Sequence, residues 1–515
     1  MESVVMEKQM LLWNRLLVWL FLAVAGVLGA VFAPQALLAQ EAEASTAAAA
    51  QQPHPPLCRL GVNALHGATN TFDEVDLAPL RVGWYIDYRA VPPEAPPSGV
   101  AHAPVIRISR DGASGYVSSP RGTALQQAIA DNPGADWIIG NEPDRRAVPG
   151  GATDDLLPSV YALAYHDLYH TIKQADPTAR IFAGAIVQPT PVRLQYLDLV
   201  MRSYYEQFGV GMPVDGWAIH NFILNERSCD HYKDAQICWG ADIPPGIDAT
   251  DGLVVEVDQN DDFDLFVEQI QRFRFWMASR GYGGKPLYVS EYGVLMPERL
   301  GFSSDRVNRF MERSLDYLLN TTDQALGDPT DGYRLVQRLA WFSTVPSGEF
   351  NGYLYERDQP NAPFRLSPMG ENWVAYANAL AVETDLYPVQ IAFDPPAPLA
   401  DSGNITFTVK AQIANAGNSQ AARSFTVRFY DGDPNQGGAP IGGPQTVSLA
   451  GCGDHAQVSV VWPDVAPGDY RVYVWVDPVG AVGETDKSNN LKSASPLFAT
   501  DQAFLPLLFR TPFMQ

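Results

Sequence analysis

Asp136 to Asp144 reads D-W-I-I-G-N-E-P-D, a short apolar run that ends abruptly in an amide, a carboxylic acid and a proline. Trp137, Ile138 and Ile139 are continuous rather than alternating, which suits a strand covered on both faces, as in a parallel sheet flanked by helices. Pro143 cannot donate to a sheet ladder and marks the strand's end. Glu142 is therefore expected at a C-terminal strand tip. A buried strand has no reason to carry a carboxylate there unless the tip opens onto a site, although Glu-Pro alone is as often only the start of a loop.

The pattern recurs at Pro286 to Val294, P-L-Y-V-S-E-Y-G-V, where Glu291 closes a second apolar run. Working outward from these two, further runs lie at Leu60–Leu65, Leu80–Tyr85, Pro104–Ile108, Arg180–Ile186, Gly216–His220 and Arg338–Phe342. With Trp137–Gly140 and Leu287–Ser290 they make eight, alternating with helical patterns, which is the signature of parallel strands joined by crossover helices. Apolar residues recur at helical spacing over Asp154–Ala175, Arg193–Phe208, Phe263–Arg280, Ser304–Leu319 and Met369–Leu380. Asp262 and Ser303-Ser304-Asp305 suit helix starts, and Gly209 and Gly281 suit helix ends. Val91–Val100 and Asn225–Asn260 are the long loops.

After Leu380 the pattern changes. Ile405–Ile413, Ser424–Tyr430, Gln457–Trp462 and Tyr470–Val476 alternate polar and apolar residues between Gly, Pro, Asn and Asp turns, as in an antiparallel sandwich. The expected fold class is α/β: a (β/α)8 TIM barrel at 58–384 followed by an all-β immunoglobulin-like sandwich at 386–499, with a tail at 500–515.

The net charge of -23 argues against nucleic acid, an anionic membrane surface or a polyanionic polymer as partner, and favours a neutral one. Leu16–Ala33 is apolar, follows Lys8 and Arg15, and precedes Ala42-Glu43-Ala44, a site of the kind a signal peptidase cuts. Residues 1–44 thus read as a signal peptide or N-terminal anchor and 45–57 as a linker, placing the remainder outside the cell, secreted or at its surface. The 4 cysteines suit disulfides in an exported chain. Cys229 and Cys238 are expected to staple one loop. Cys58 and Cys452 either bridge the two domains or remain as buried thiols.

On a barrel every strand's C-terminal end opens on one face, so Glu142 after the fourth strand and Glu291 after the seventh would converge. Cleavage of a glycosidic bond needs one protonated carboxyl for the leaving oxygen and one carboxylate on the opposite side of the sugar. Glu142 is assigned as acid/base, kept protonated by a less polar setting and nearby negative charge, and Glu291 as nucleophile. Carboxyl groups at roughly 5 to 5.5 Å would mark a retaining reaction.

N-E-P at Asn141–Pro143 and S-E-Y-G at Ser290–Gly293 together resemble the motifs of the retaining glycoside hydrolases of clan A, the 4/7 superfamily, over Leu60 to about Leu380. The resemblance implies a double displacement without cofactor on a polysaccharide or oligosaccharide. It implies further that Asn141 bonds the sugar 2-hydroxyl, that Trp341 stacks under the ring, and that Tyr292 and Trp84 belong with the substrate-binding residues. His220, in A-I-H-N-F, matches a position where clan members carry His followed by an aromatic; the other reading is a satisfied core histidine. Many members have Tyr where this chain has Phe222, so a hydroxyl that orients Glu291 must come from elsewhere. G-W-Y-I-D-Y at Gly83–Tyr88, with I-G-N-E-P-D and the H-x-F turn, looks most like the endo-β-1,3-glucanase-type families, and leaves Trp84, Tyr85 and Tyr88 between substrate contact and packing. Trp239 is either a sugar platform or packed on its own loop, while Asp144, Arg145 and Arg146 read as a solvated loop continuation.

N-A-G at Asn415–Gly417, V-R-F-Y-D-G-D at Val427–Asp433 and V-D-P-V-G-A-V-G-E-T-D-K-S-N-N at Val476–Asn490 resemble the CARDB module of bacterial surface proteins, implying cell-surface or cell-wall association. Asp477, Glu484 and Asp486 are read as turn caps, with Ca²⁺ binding as the rarer alternative. Two rival readings stand beside the enzyme: a catalytically inactive barrel that binds glycans, and a metal-dependent hydrolase, for which the strand tips offer no paired histidines.

Overall fold

The computed structural model describes residues 56–64, 75–92, 97, 99–147, 153–346, 348–360, 362–399, 403–418, 423–452 and 454–499. The export segment expected at 1–44, most of the linker and the tail at 500–515 lie outside the described residues.

The first part of the chain builds one sheet from β1 (Leu60–Asn63), β2 (Trp84–Ile86), β3 (Ala101–His102), β4 (Val105–Asp111), β5 (Gly115–Ser119), β6 (Asp136–Ile139), β7 (Arg180–Ile186), β8 (Gly216–His220), β9 (Leu287–Tyr292) and β10 (Arg338–Trp341). Their order is β3-β2-β1-β10-β9-β8-β7-β6-β4-β5. All pairings are parallel except the β4–β5 hairpin, which the sequence reading did not anticipate. The sheet curls until β3 on one side and β4 on the other are separated only by Ala103 and Pro104. No ladder joins β3 to β4, but Ala103 N donates to Tyr85 O at 3.0 Å and Ile138 N to Pro104 O at 2.9 Å, so this short stretch reaches both neighbours.

Curling follows from what the concave face buries. Trp84, Ile86, Val105, Ile138, Phe182, Ala218, Tyr288 and Ala340, from seven strands, form one cluster. Where the strands begin, Asp136 is held by Arg180 in two contacts of 2.6 Å, by Arg338 at 3.1 Å and by the Tyr288 hydroxyl at 2.7 Å. Burial would raise the Asp136 pKa, but the two guanidiniums bring it down to about 2. The convex face packs against helices at Pro158–Ala175, Pro191–Phe208, Phe263–Ser279, Ser304–Asn320 and Pro368–Ala379, all close to their expected positions. Asp262 caps its helix through Asp264 N and Leu265 N, and Gly209 ends another in the left-handed region. A further helix at Thr123–Asp131 was not anticipated.

The C-terminal part is all-β. β11 (Leu386–Asp394), β12 (Ile405–Asn415) and β15 (His455–Val465) form one antiparallel sheet. β13 (Arg423–Asp431), β14 (Ala439–Leu449), β16 (Val472–Val476) and β17 (Leu491–Ala494) form another. Alternate residues of both meet in a core that includes Phe407, Val409, Phe425, Val427, Phe429 and Val474. Both disulfides are present, Cys229–Cys238 and Cys58–Cys452. The second fastens the short helix before β1 to the sandwich.

Candidate active site

The site is built at the C-terminal tips of β1, β2, β6, β8 and β9. Gly140 follows β6 with a φ of +86°, and a side chain there would press within 3.1 Å of Tyr161. That turn leaves Glu142 in the left-handed region at φ +45°, sparsely populated for a residue with a side chain, and pinned by Glu142 N donating to Ala185 O at 2.9 Å. Asp154 fastens the same corner, its Oδ2 accepting from Asn141 N at 2.8 Å and Ile108 N at 3.1 Å. It lies in a loop whose sequence carries no signal for this.

Glu142, His220 and Glu291 meet. His220 Nδ1 is 3.1 Å from Glu142 Oε1, and His220 Nε2 is 3.0 Å from Glu291 Oε1. One oxygen of each glutamate and one ring nitrogen all lie within 4.8 Å of one another, and the three residues are 4, 1 and 6 % exposed. His220 thus joins both glutamates rather than standing alone in the core.

The setting of Glu142 corrects the expectation that it is held protonated. Burial would raise its pKa, but Arg145 Nη1 stands 3.0 Å from its Oε2 and His220 donates to the other oxygen, so it falls to about 2. Burial would lower the His220 pKa; the charge of Glu291 and the contacts with both glutamates instead push it up to about 9. At neutral pH Glu142 rests as a carboxylate between the His220 imidazolium and the Arg145 guanidinium. The trio is compact enough to surround an ion, but the positive charge it calls for is already supplied by Arg145 and the His220 proton.

A pH dependence of stability follows, with its sign fixed by these directions. The His220 contribution is complete below an ordinary histidine pKa of about 6.5 and is lost as pH rises through about 9. That of Glu142 is present above about 4.3 and is lost as pH falls toward about 2. Thermal unfolding of the wild type is expected to move to lower temperature between pH 6.5 and 9, and that of His220→Asn to lose this component. Equal slopes in both proteins would contradict the pairing.

Arg145 and Asp144 are not a solvated loop. Arg145 also donates through Nη2 to Gly240 O at 3.0 Å, and Gly240 comes so close to Asn225 that an added Cβ would lie 2.5 Å from the Asn225 carbonyl oxygen. Asp144 is fully buried, its Oδ2 2.7 Å from Arg193 Nη1. Arg193 Nε reaches Glu226 Oε1 at 2.5 Å, and its Nη2 donates to Ala241 O at 3.0 Å and Asp242 O at 2.8 Å. This one guanidinium locks the loop after β6 to the disulfide-stapled loop after β8. Arg146, as expected, is more open; it pairs with Asp230.

Tyr88 brings a hydroxyl close to Glu291, where Phe222 offers none. Its OH donates to Asn63 Oδ1 at 2.6 Å, and burial, then the charge and hydrogen bonding of Glu291, hold its pKa well above the usual range. Asn63 in turn donates to Ser290 O at 3.1 Å, steadying the residue before Glu291. Asn63 went unnoticed, although L-G-V-N repeats the pattern of an apolar run ending in a polar side chain.

Several aromatic expectations need correction. Trp341 is fully buried and its Nε1 donates to Gly352 O at 2.5 Å, so neither face is open to a sugar. Tyr292 packs edge-on against it among Phe266 and the convex core, away from the glutamates. Trp84 lies in the concave cluster and donates to Arg59 O at 3.1 Å; Tyr85 is core as well. Asn141 is 6 % exposed beside Glu142. Trp239 is half-buried on an apolar patch with Phe222, Leu224, Leu295 and Phe342, from the loops after β8, β9 and β10. In the sandwich, Asp477 accepts from Ala481 N and Val482 N and Asp486 from Ser488 N, as turn caps, whereas Glu484 accepts from Leu386 N, 98 residues away, and from Asn490, and so ties two segments together.

The CARDB family matches residues 384–494, and this C-terminal part is a CARDB domain. Among solved structures, the CARDB domain of a Pyrococcus furiosus protein, in complex with di-metal ions, is 22% identical, with 23% of this chain and 90% of that chain covered at a TM-score of 0.19. A putative cell surface protein of Methanosarcina acetivorans is 28% identical over 23% of this chain and 95% of that one, also at 0.19. A Paenibacillus polymyxa xyloglucanase from glycoside hydrolase family 44 is 11% identical over 79% of this chain and 97% of that one, at 0.34. Likenesses this loose assign no activity. No curated protein matches the chain.

Proposed function

We propose that the chain is an exported retaining β-glycosidase that cleaves a neutral polysaccharide or oligosaccharide by double displacement, Glu291 acting as nucleophile and Glu142 as acid/base. The observation that carries this reading is the approach of the two carboxylates, one oxygen of each within 4.8 Å of the other and both within reach of His220. Retaining enzymes hold their pair at about 5 to 5.5 Å and inverting enzymes at about 6.5 to 9.5 Å, leaving room for a water. Glu291 attacks the anomeric carbon while Glu142 protonates the departing oxygen. Glu142 then takes a proton from water as that water displaces Glu291.

The curled sheet is read as a (β/α)8-type arrangement in which Ala101–Ile108 counts as one strand, with the ladder left open between β3 and β4. Counted so, β6 is the fourth strand and β9 the seventh, which agrees with the 4/7 arrangement of clan A; an endo-β-1,3-glucanase-type specificity is the finer part of the same proposal. Two disulfides and a CARDB domain support an extracellular or cell-surface setting. The patch around Trp239 is the proposed sugar platform.

Reducing-sugar release by the full chain is expected from one of β-1,3-glucan, mixed-linkage glucan, mannan, xylan and cellulose. Silence on all five, with glycan binding retained, would favour the inactive binding protein. Trp239→Ala is expected to raise KM about tenfold with kcat little changed, the loss of one aromatic contact of about 1.4 kcal/mol. An unchanged KM would remove Trp239 from the platform. Arg145→Met is expected to raise the Glu142 pKa from about 2 toward its ordinary value and, because the acid acts only with a proton, to move the alkaline limb of the pH profile of kcat/KM upward. A limb that stays in place would sink the pairing's catalytic relevance.

A further inference from the structure

We propose that the acid proton of the reaction is stored on His220 and passed to Glu142 when substrate is bound, making His220 a proton-holding residue that acts through both glutamates. The inference rests on the glycosidase reading and deepens it. A general acid must carry a proton, yet Glu142 rests between two cations, Arg145 Nη1 at 3.0 Å from Oε2 and His220 Nδ1 at 3.1 Å from Oε1. Of these only the imidazole has a proton to give, since a guanidinium does not titrate in this range. The Nδ1 contact has hydrogen-bond geometry, so transfer needs no rearrangement of the ring.

The groups facing the imidazole come from several elements. Glu142 approaches from the loop after β6, with Arg145 behind it and the buried Asp144 two residues on. Glu291 approaches from β9, with Nε2 3.0 Å from its Oε1. Tyr88, after β2, lies against Glu291, with Arg107 of β4 close enough to act on its hydroxyl electrostatically. With a carboxyl oxygen facing each ring nitrogen the imidazolium is the favoured resting form, in line with a His220 pKa of about 9.

The step balances. The Nδ1 proton moves to Glu142 Oε1 and on to the glycosidic oxygen as its bond to the anomeric carbon breaks and the bond to Glu291 forms. His220 is left neutral, with its proton on Nε2. Glu291 thereby loses the cation beside it in the same event that arms the acid. In the second half, water gives its proton to Glu142, from which it returns to Nδ1. Arg145, which lowers the Glu142 pKa, keeps that residue a base between transfers.

Nitrogen-15 spectra of the histidine-labelled full chain test the resting state without substrate. Wild type is expected to show one histidine that stays doubly protonated at pH 8, assigned by its loss in His220→Asn, and Glu142→Gln is expected to lower that residue's pKa. A His220 that is neutral at pH 7 would overturn the proposal. Kinetics test the transfer, using aryl β-glycosides of the sugar that the wild type cleaves. His220→Asn is expected to slow substrates with poor leaving groups by about 10²-fold and nitrophenyl substrates with good ones by far less. Equal losses on both would also overturn it. If no substrate is cleaved by the wild type, the glycosidase reading fails, while the spectra still decide where the proton rests. If His220→Asn does not fold, the pH titration of wild type against Glu142→Gln decides alone.

Discussion

Glu291→Gln is expected to abolish turnover, and Glu142→Gln to reduce it by about 10²- to 10⁴-fold on substrates with poor leaving groups. The asymmetry follows from the roles. Without the Glu291 carboxylate no covalent intermediate forms, and an amide of the same shape is no nucleophile. Without the Glu142 acid, a substrate whose leaving oxygen needs no proton still enters the first step. Azide should therefore accelerate Glu142→Gln on such a substrate by attacking the glycosyl-enzyme, giving a product of retained configuration. The same amide changes leave side-chain volume almost unaltered, so circular dichroism should be unchanged. Full activity in either variant would remove that residue from the chemistry.

Arg193→Met carries the largest expected effect on folding, a loss of about 3 to 5 kcal/mol. Arg193, Asp144 and Glu226 are buried, with side-chain exposures of 0 %. Removing the cation leaves two carboxylates in a site without water to solvate them, and frees the carbonyls of Asp144, Ala241 and Asp242. Arg193→Lys should be intermediate, because an ammonium keeps the charge but cannot reproduce the planar fork. Activity should fall with stability, since the loop that Arg193 locks also supplies Gly240 O, the second anchor of Arg145. An unchanged urea midpoint for Arg193→Met would show that the network is dispensable.

The glutamates and His220 were legible because a buried strand that ends in a polar side chain is anomalous, and the anomaly survives without any knowledge of neighbours. Asn63 obeyed the same rule and was missed only because an amide draws less attention than a charge. The aromatic residues failed for a physical reason. A strand covered on both faces lacks the alternation that would tell which side each residue takes, so Trp84, Tyr292 and Trp341 gave no sign of facing the core rather than the cleft. Tyr88, just beyond β2 with a positive φ of 62°, turns the other way.

The ionisation of Glu142 was beyond sequence reading altogether. It depends on where Arg145 points, which depends on Gly240 in a loop nearly a hundred residues on, and that loop is held by Arg193 and by the Cys229–Cys238 staple. Two residues that looked like solvent-facing charge, Asp144 and Arg145, thus belong to the paired network around the candidate site. The disulfide staple was readable from spacing alone, whereas Cys58 and Cys452 required the fold.

The most direct test of the central claim is the configuration of the first product. Hydrolysis of the glycan identified by the polymer panel, followed by proton magnetic resonance from the first minutes, should show the β-anomer of the new reducing end before mutarotation mixes the two. Initial release of the α-anomer would mean that water attacks directly, and would contradict the assignment of Glu291 as nucleophile.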